Sequence, residues 1–504
     1  MTLKQSALVA PDTATRPQAA EQPHRATAWP AARTAAAEAG AAARAGQAGQ
    51  AGQAGHAGQA GQAGHAGQAG QAGHAGHVSH AGHVSHAGQA ARGPLAVPLG
   101  AALGRVLAGP LLALTDLPSF DTSAMDGWAV AGTGPWTVRE EGAVLAGHAP
   151  AAVLADGEAV RIATGARVPT GTTAVIRSEH SKQSEHSERA EHSAHSAHSE
   201  QAEYALAAAG PFLHALREVR PGQDIRPRGQ ECRSGDELLP AGSVVTPAVL
   251  GLAAAAGYDA LPVLPRPRVE ILVLGDELLT TGLPHEGLIR DALGPMLGPW
   301  LEALGAEVLA TRRIGDDAEE LYAAVTGSTA DLLITTGGTA AGPVDHLHRV
   351  LDAAGATLLV DGVKVRPGHP MLLARLAGGA EPRHLVGLPG NPLAAVSGLL
   401  TLAEPLLAAL GGAPREPHRA PGVPVQDEIQ GHPHDTRLVP VVRRADRAVP
   451  LHYNGPAMLR GIAAADGLAV VPPGGARPGQ ALEILGLPWP TAAGDAPAQG
   501  ACFT

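Results

Sequence analysis

The sequence predicts a multidomain protein of the α/β plus β class, and three observations carry that prediction. Between residues 266 and 411, near-continuous apolar strands alternate with helical segments, which is the pattern of a parallel α/β sheet. On either side, at 93–265 and 412–490, short β-like runs are punctuated by Gly and Pro turns. A length of 504 residues leaves room for two to four such domains, each with its own core.

Taken in order, residues 1–92 read as a low-complexity tail, with repeats such as "AGQAGQAGHAGQAGQAGHAG" from about residue 35. Small residues with regularly spaced Gly offer no apolar face to bury, so this stretch is expected to be disordered. "GWAVAG", "EAVRIATG" and "TAVIRS" read as strands, and "PAVLGLAAAAGY" as a helix. A second tract, "SEHSKQSEHSERAEHSAHSAHSEQAE" at 178–203, reads as an expanded surface loop, an insertion that costs little closure entropy. Its irregular His spacing, without fixed Cys or acidic partners, specifies no coordination geometry. The α/β region then runs strand "VEILVLG", helix "PMLGPWLEALGA", strand "EVLATRRIG", helix "DAEELYAAVTGS", strand "ADLLITTGG" and helix "PVDHLHRVLDAAG". A small β domain follows, and 491–504 is a tail.

Composition excludes several classes of function. Lys and Arg total 36 against 47 Asp and Glu, a net charge of −11 without a basic block. Neutralising a phosphate backbone or an anionic membrane needs clustered cations, so neither nucleic acid nor membrane is an expected partner. Two cysteines, Cys232 and Cys502, make neither a disulfide framework nor a C-x-x-C metal site. The first residues lack the apolar run of a secretion signal. The most apolar stretch, "NPLAAVSGLLTLAEPLLAALGG", is interrupted by Glu404 and Pro405 and reads as a buried helix. A cytoplasmic protein is expected. Aromatic residues make up only 2% of the chain, so Ala, Val and Leu must fill the core.

The chemistry concentrates at "ITTGGTAAGPVDHL", residues 334–347, where a strand passes through a glycine turn into a helix. Ligands of such sheets sit at the carboxyl ends of strands and the amino ends of helices, where N–H groups and the helix dipole attract an anion. Gly337, Gly338, Thr339 and Gly342 are therefore candidate phosphate contacts. Neither a Gly-Lys-Ser/Thr nor a G-x-G-x-x-G pattern is present, which sets aside the two common nucleotide loops. Asp345 stands just behind the turn. A carboxylate beside phosphate is repulsive unless a cation such as Mg²⁺ lies between them, although an acid at a helix start also simply satisfies the dipole. Acids fall at equivalent strand ends in "LGDELL" (Asp276, Glu277) and "RIGDDAEE" (Asp316, Asp317).

With these residues the chain resembles the MoeA family of molybdopterin molybdenumtransferases, the molybdenum insertases, over about 93–485. "SFDTSAMDGWAV", "RIATGARVPTGTTAVI", "GQDIRPRGQECRSGDELLPAG", "LGDELL", "GGTAAGPVDHL", "VRPGHP", "GLPGNP" and "NGPAMLRGIAAADGLAVVP" carry the resemblance, in order. It implies an elongated N-terminal region with an inserted β domain (about 121–231), the α/β molybdopterin-binding domain and a C-terminal β-barrel-like domain. It also implies a homodimer, Mg²⁺, and a reaction in which adenylylated molybdopterin and molybdate give AMP and dithiolene-bound molybdenum. Contact with the molybdopterin adenylyltransferase that makes the substrate is a further implied partnership.

By the same resemblance, Asp126, Glu277, Asp316 and Asp345 are the catalytic acids, and Glu231 stands where the family has Asp. Glu231, Glu277, Asp316 and Asp345 would hold the metal. Thr164 and the loop Pro389, Asn391 and Pro392 would bind substrate. The chain departs from the family at Ala340, Pro343, Leu293, Gly362 and His369, where a hydroxyl, a polar residue, an Asn and two Lys are usual. Strand alternation puts Lys364 on the same face as Arg366, so Lys364 is expected to replace the lost upstream charge. A non-catalytic molybdopterin- or partner-binding relative is the alternative raised by these changes. The adenylyltransferase, which shares the α/β domain, is disfavoured by the long N-terminal region and the C-terminal β domain.

Overall fold

A computed structural model describes residues 26–59, 93–139, 143–148, 153–184, 211–339, 346–378, 381–413 and 422–489, with the backbone alone for 48–59. The chain divides into two compact units, one of 93–265 with 412–414, the other of 1–92, 266–411 and 415–504.

In the first unit, segments far apart in sequence pair with each other. Leu95–Pro98 lies antiparallel to Ala260–Val263, and Leu111–Leu112 to Glu237–Leu239. Between them sits a six-stranded sheet in the order Ala174–Arg177, Gly127–Val130, Glu158–Ile162, Trp136–Val138, Phe212–Ala215, Ser181–Ser184. The His/Ser tract therefore begins inside structure: Ser181–Ser184 is an edge strand of this sheet. The rest of that tract, from 185, lies outside the described residues.

The second unit is built on a six-stranded sheet. Its strands are β1 (Arg268–Leu274), β2 (Glu307–Ile314), β3 (Leu332–Thr336), β4 (Thr357–Asp361), β6 (Leu372–Leu376) and β7 (Arg383–Leu388), while β5 (Val363–Arg366) lies elsewhere. The order is β2-β1-β3-β7-β6-β4. Strands β2, β1, β3 and β7 are parallel, as the strand–helix alternation predicts; β6 and β4 extend the sheet antiparallel. Helices α1 (Leu293–Ala303), α2 (Ala318–Gly327) and α3 (His346–Ala353) connect the strands. Val269, Ile271 and Val273 face a core shared with Leu297 and Trp300 of α1, and Leu272 faces a second core with Leu321 of α2 and Leu347 of α3. The inner strands β1, β3 and β7 are thus covered on both faces, which is why they read as near-continuous apolar runs, while the edge strand β2 is mostly exposed.

Strand β5 leaves the central sheet altogether. It pairs parallel with Thr436–Arg444 of the C-terminal region, whose sheet continues through Gly467–Val471 and Ile484–Gly486. The α/β and C-terminal β regions, expected as separate domains, consequently share one unit.

The expectation of disorder from residue 35 fails for the first part of the tail. Thr27–Ala28 adds a parallel strand to β5, and a helix spans Trp29–Gln59. Ala is the strongest helix former, and here smallness replaces an apolar stripe. Ala32, Ala36 and Ala43 are fully buried, and a Cβ on Gly40 would stand 2.5 Å from the Leu406 carbonyl oxygen. The helix thus packs backbone-close against the helix Pro392–Leu410. That helix carries a π segment at Leu399–Ala403, beside Pro405, which has no N–H to return to the preceding turn. The N-terminal helix closes the gap: Trp29 Nε1 donates to Thr401 Oγ1 at 3.0 Å, and Arg33 donates to the Leu400 carbonyl and pairs with Glu404. Burial pushes the Glu404 carboxyl up, and Arg33 partly offsets that. Among the described residues Pro392–Leu410 is the one helix long and apolar enough to cross a membrane, and it is a core helix, 78% buried.

Candidate functional site

Parallel β1, β2 and β3 bring their carboxyl ends to one edge, and with them the segments Gly275–Glu277, Gly315–Asp317 and Gly337–Gly338. They line one cavity of about 170 Å³, with Glu277, Asp316, Asp317 and His346 around Gly337 and Gly338. A Cβ on Gly275 would stand 2.4 Å from Glu277 Oε2, so only glycine lets that carboxylate fold back over the strand end. The two acids of "GDD" have different work. Asp317 caps α2, accepting from the N–H groups of Glu319 at 2.8 Å and Glu320 at 3.2 Å. Glu277 and Asp316 are exposed and have no ion-pair partner among the described residues. Two uncompensated carboxylates sharing one small cavity repel each other and attract a cation. Larger cavities on the inserted β sheet, one of about 610 Å³ around Trp136 and Arg217, hold none of the candidate residues.

The glycine turn is partly as expected. Gly337 and Gly338 both take positive φ, 84° and 65°, which a side chain would strain. The Gly337 N–H, however, donates to the Leu388 carbonyl at 2.8 Å and is not available to an anion. Thr339 is buried, its methyl group near Gly387. Gly342 and Asp345 lie outside the described residues.

"LPGNP" also differs from expectation. Asn391 occupies the N-cap position of the helix starting at Pro392 but makes no capping bond through its side chain. The N–H groups of Leu393 and Ala394 both donate to the Pro456 carbonyl, at 2.9 and 3.2 Å. The C-terminal region therefore closes this helix end, which cannot serve as an open anion site. Pro389, Asn391 and Pro392 stay beside the glycine turn, since a Cβ on the intervening Gly390 would lie 3.7 Å from Gly337 Cα.

Strand β5 alternates as predicted: Val363 and Val365 are buried, Lys364 and Arg366 exposed on the other face. Arg366 is committed, its Nε 2.8 Å from Asp435 Oδ2, and His432 Nδ1 lies 3.3 Å from the same oxygen. Lys364 has no ion-pair partner among the described residues. Gly362 sits at φ 75°, so the missing lysine there reflects a left-handed turn. Sequence reading missed Asp435, and also Arg437, which lies opposite Arg366 in register and donates to Asn454 Oδ1 at 3.2 Å. Their only signal was a parallel pairing across some seventy residues, which local pattern does not reveal. Leu293, where the family has Asn, is a buried core residue of α1.

In the first unit, Asp126 Oδ1 accepts from the Thr164 N–H at 2.8 Å, so these two predicted residues do meet. Asp126 lines a cavity of about 180 Å³ with Arg161 and Ser178. Glu231 is exposed and does not line it. Nearby in sequence, a hydrogen bond from Arg177, Nε and Nη2 each 3.0 Å from a carboxylate oxygen, holds Asp224 below the usual carboxylate range.

Three family profiles match in chain order: the MoeA N-terminal region (domain I and II) at 76–257, a probable molybdopterin binding domain at 270–409, and the MoeA C-terminal region (domain IV) at 423–487. Molybdopterin molybdenumtransferase 2 of Mycobacterium tuberculosis is 36% identical over 346 residues, 65% of this chain and 78% of that protein. The chain belongs to the MoeA family. The molybdopterin molybdenumtransferase of a Nostoc species is 30% identical over 327 residues, 63% of this chain and 69% of that protein. A crystal structure of the molybdopterin biosynthesis MoeA protein from Pyrococcus horikoshii superposes with a TM-score of 0.61 at 25% identity, covering 78% of this chain and 94% of that one. Within the MoeA arrangement the acid cavity falls in the molybdopterin-binding region, and Asp126 and Thr164 in the N-terminal region.

Proposed function

We propose that this MoeA protein is a molybdopterin molybdenumtransferase: it takes adenylylated molybdopterin and molybdate, releases AMP, and leaves molybdenum on the dithiolene. The observation that carries this is the pair of unpaired carboxylates, Glu277 and Asp316, beside the Gly337–Gly338 turn. Hard carboxylate oxygens suit Mg²⁺, which takes one or two protein carboxylates and completes its shell with water and substrate phosphate. Glu277 and Asp316 would hold the ion, with Asp345 as the third acid, and an ion held there would supply positive charge against the phosphoanhydride. Lys364 supplies a free cation for the substrate's anionic end. The departures at Leu293 and Gly362 have packing and backbone reasons and leave these acids untouched, which favours the enzyme over a binding-only relative. With this reading go a homodimer, a cytoplasmic location and contact with the adenylyltransferase that makes the substrate.

The test is incubation with adenylylated molybdopterin, Mg²⁺ and molybdate, following AMP and dithiolene-bound molybdenum together. Stoichiometric appearance of both supports the assignment; binding without AMP release would assign the chain to a non-catalytic relative. Asp345→Asn should fold and bind substrate normally yet release AMP ~10²-fold more slowly. If Asp345 only satisfied a helix dipole, turnover would stay intact, with a stability loss on the order of 0.3–1 kcal/mol.

A further inference from the structure

Glu277 and Asp316 sit on separate loops, after β1 and after β2, and the sequence of neither loop fixes the distance between them. The loop carrying Glu277 returns on itself as a two-stranded ribbon, Leu278–Leu279 parallel to Ile289–Arg290. The Ile289 N–H donates to the Glu277 carbonyl at 2.8 Å, and the Asp291 N–H to the Leu279 carbonyl at 3.0 Å. Asp291 ends the ribbon, and its side chain is only 3% exposed. Its Oδ1 accepts the N–H groups of Leu293 and Gly294, at 3.0 and 2.9 Å, and so starts α1. Its Oδ2 pairs with Arg313, the penultimate residue of β2 and three residues before Asp316. A Cβ on Gly294 would stand 2.2 Å from Asp291 Oδ2, so glycine at that position gives the carboxylate its room. Arg312 and Arg313 leave the strand on opposite faces. Arg312 pairs with Glu270, and Arg313 alone reaches the loop of Glu277.

We propose that the Arg313–Asp291 ion pair is a positioning strut that ties the loop of Glu277 to the loop of Asp316 and so sets their separation for a divalent cation. The proposal rests on the reading of Glu277 and Asp316 as cation ligands. Neither strut residue lines the acid cavity; each acts through the backbone of an acid-bearing loop. The first turn of α1 is held by Asp291 Oδ1, and Asp291 in turn by Arg313, with no part for the side chain at 293.

The test uses the full chain without substrate and Mn²⁺ as the probe, its binding read by electron paramagnetic resonance. Asp291→Asn keeps the oxygen that caps α1 but turns an amide toward Arg313, whose side chain is free to swing to water. Mn²⁺ binding should weaken about tenfold, the usual effect of losing a residue that orients a metal ligand, with melting temperature near wild type. The Mg²⁺ concentration for half-maximal AMP release should rise in parallel, while KM for adenylylated molybdopterin stays put. Arg313→Gln, which removes the other partner and leaves the Asp291 cap of α1 in place, should weaken Mn²⁺ binding to a similar extent. Wild-type affinity in a folded Asp291→Asn protein overturns the strut. If that variant fails to fold, Arg313→Gln decides: wild-type Mn²⁺ affinity in a folded Arg313→Gln protein overturns the strut equally. Glu277→Gln and Asp316→Asn are measured alongside. Loss of Mn²⁺ in these two but not in Asp291→Asn removes the strut alone, whereas unchanged binding in all of them removes the cation site itself.

Discussion

The two ends of the central sheet treat charge in opposite ways. Toward its amino end, two buried acids are matched. Glu270 receives the Ser328 hydroxyl at 2.6 Å and Arg312 at 2.8 Å, and Asp331 receives the Arg268 N–H at 2.7 Å. At the carboxyl end, Glu277 and Asp316 share a cavity, exposed and without an ion-pair partner among the described residues. Burying a charge is costly unless it is paired, so the buried acids need partners, whereas exposed acids can be completed by water or by a ligand. The difference separates acids tied into the sheet from acids still open to a ligand, on one set of strands.

That contrast can be broken from the structural end first. His384 is buried at the amino end, its Nδ1 without a hydrogen-bond partner, and burial, with help from the Arg375 charge, lowers its pKa to about 4. A histidine that resists protonation when folded stabilises fully above its unfolded pKa and loses that contribution as pH falls toward the folded value. From the ordinary 6.5 down to about 4, the protein should lose roughly 3 kcal/mol through this group. Chemical denaturation of wild type and His384→Leu across that range checks it; parallel pH profiles would contradict it. Next, Glu270→Ala should cost roughly 2–3 kcal/mol, because the Ser328 hydroxyl is left buried and unmatched while Arg312 can turn to water. Its AMP release per folded molecule should not change. A turnover defect in Glu270→Ala would blur the division between the two ends.

A smaller effect sharpens the comparison on β5, where the same division recurs between neighbours. Lys364→Ala removes the uncommitted cation and should weaken substrate binding about ten- to a hundredfold. Arg366→Ala should weaken it less, since Arg366 is already spent on Asp435. Calorimetric titration of both variants with adenylylated molybdopterin decides, and the reverse order would show that Arg366 leaves its partner to meet the substrate.

Much of this was legible because it is local. Strand–helix alternation gave β1, β2 and β3, the glycines gave the turn, and acids following parallel strands must converge on one edge. What escaped depended on distant partners. Nothing in "AAAEAGAAARAG" reveals that its small residues buy closeness to a particular helix, nor that Trp29 and Arg33 answer a π segment more than 360 residues away. The occupant of the helix start at Pro392 is a carbonyl from the C-terminal region, invisible to any motif. Departures at 293 and 362 looked like losses of function until burial and backbone angle gave them other reasons.

The central claim is that Glu277 and Asp316 stand unpaired in order to bind the cation that assists adenylate cleavage. Single-turnover AMP release by Asp316→Asn, measured across Mg²⁺ concentration beside melting temperature and substrate affinity, tests it most directly. Substrate should bind and the fold should hold while AMP release falls ~10²-fold and needs more Mg²⁺. A variant that releases AMP at the wild-type rate in limiting Mg²⁺ would contradict the account.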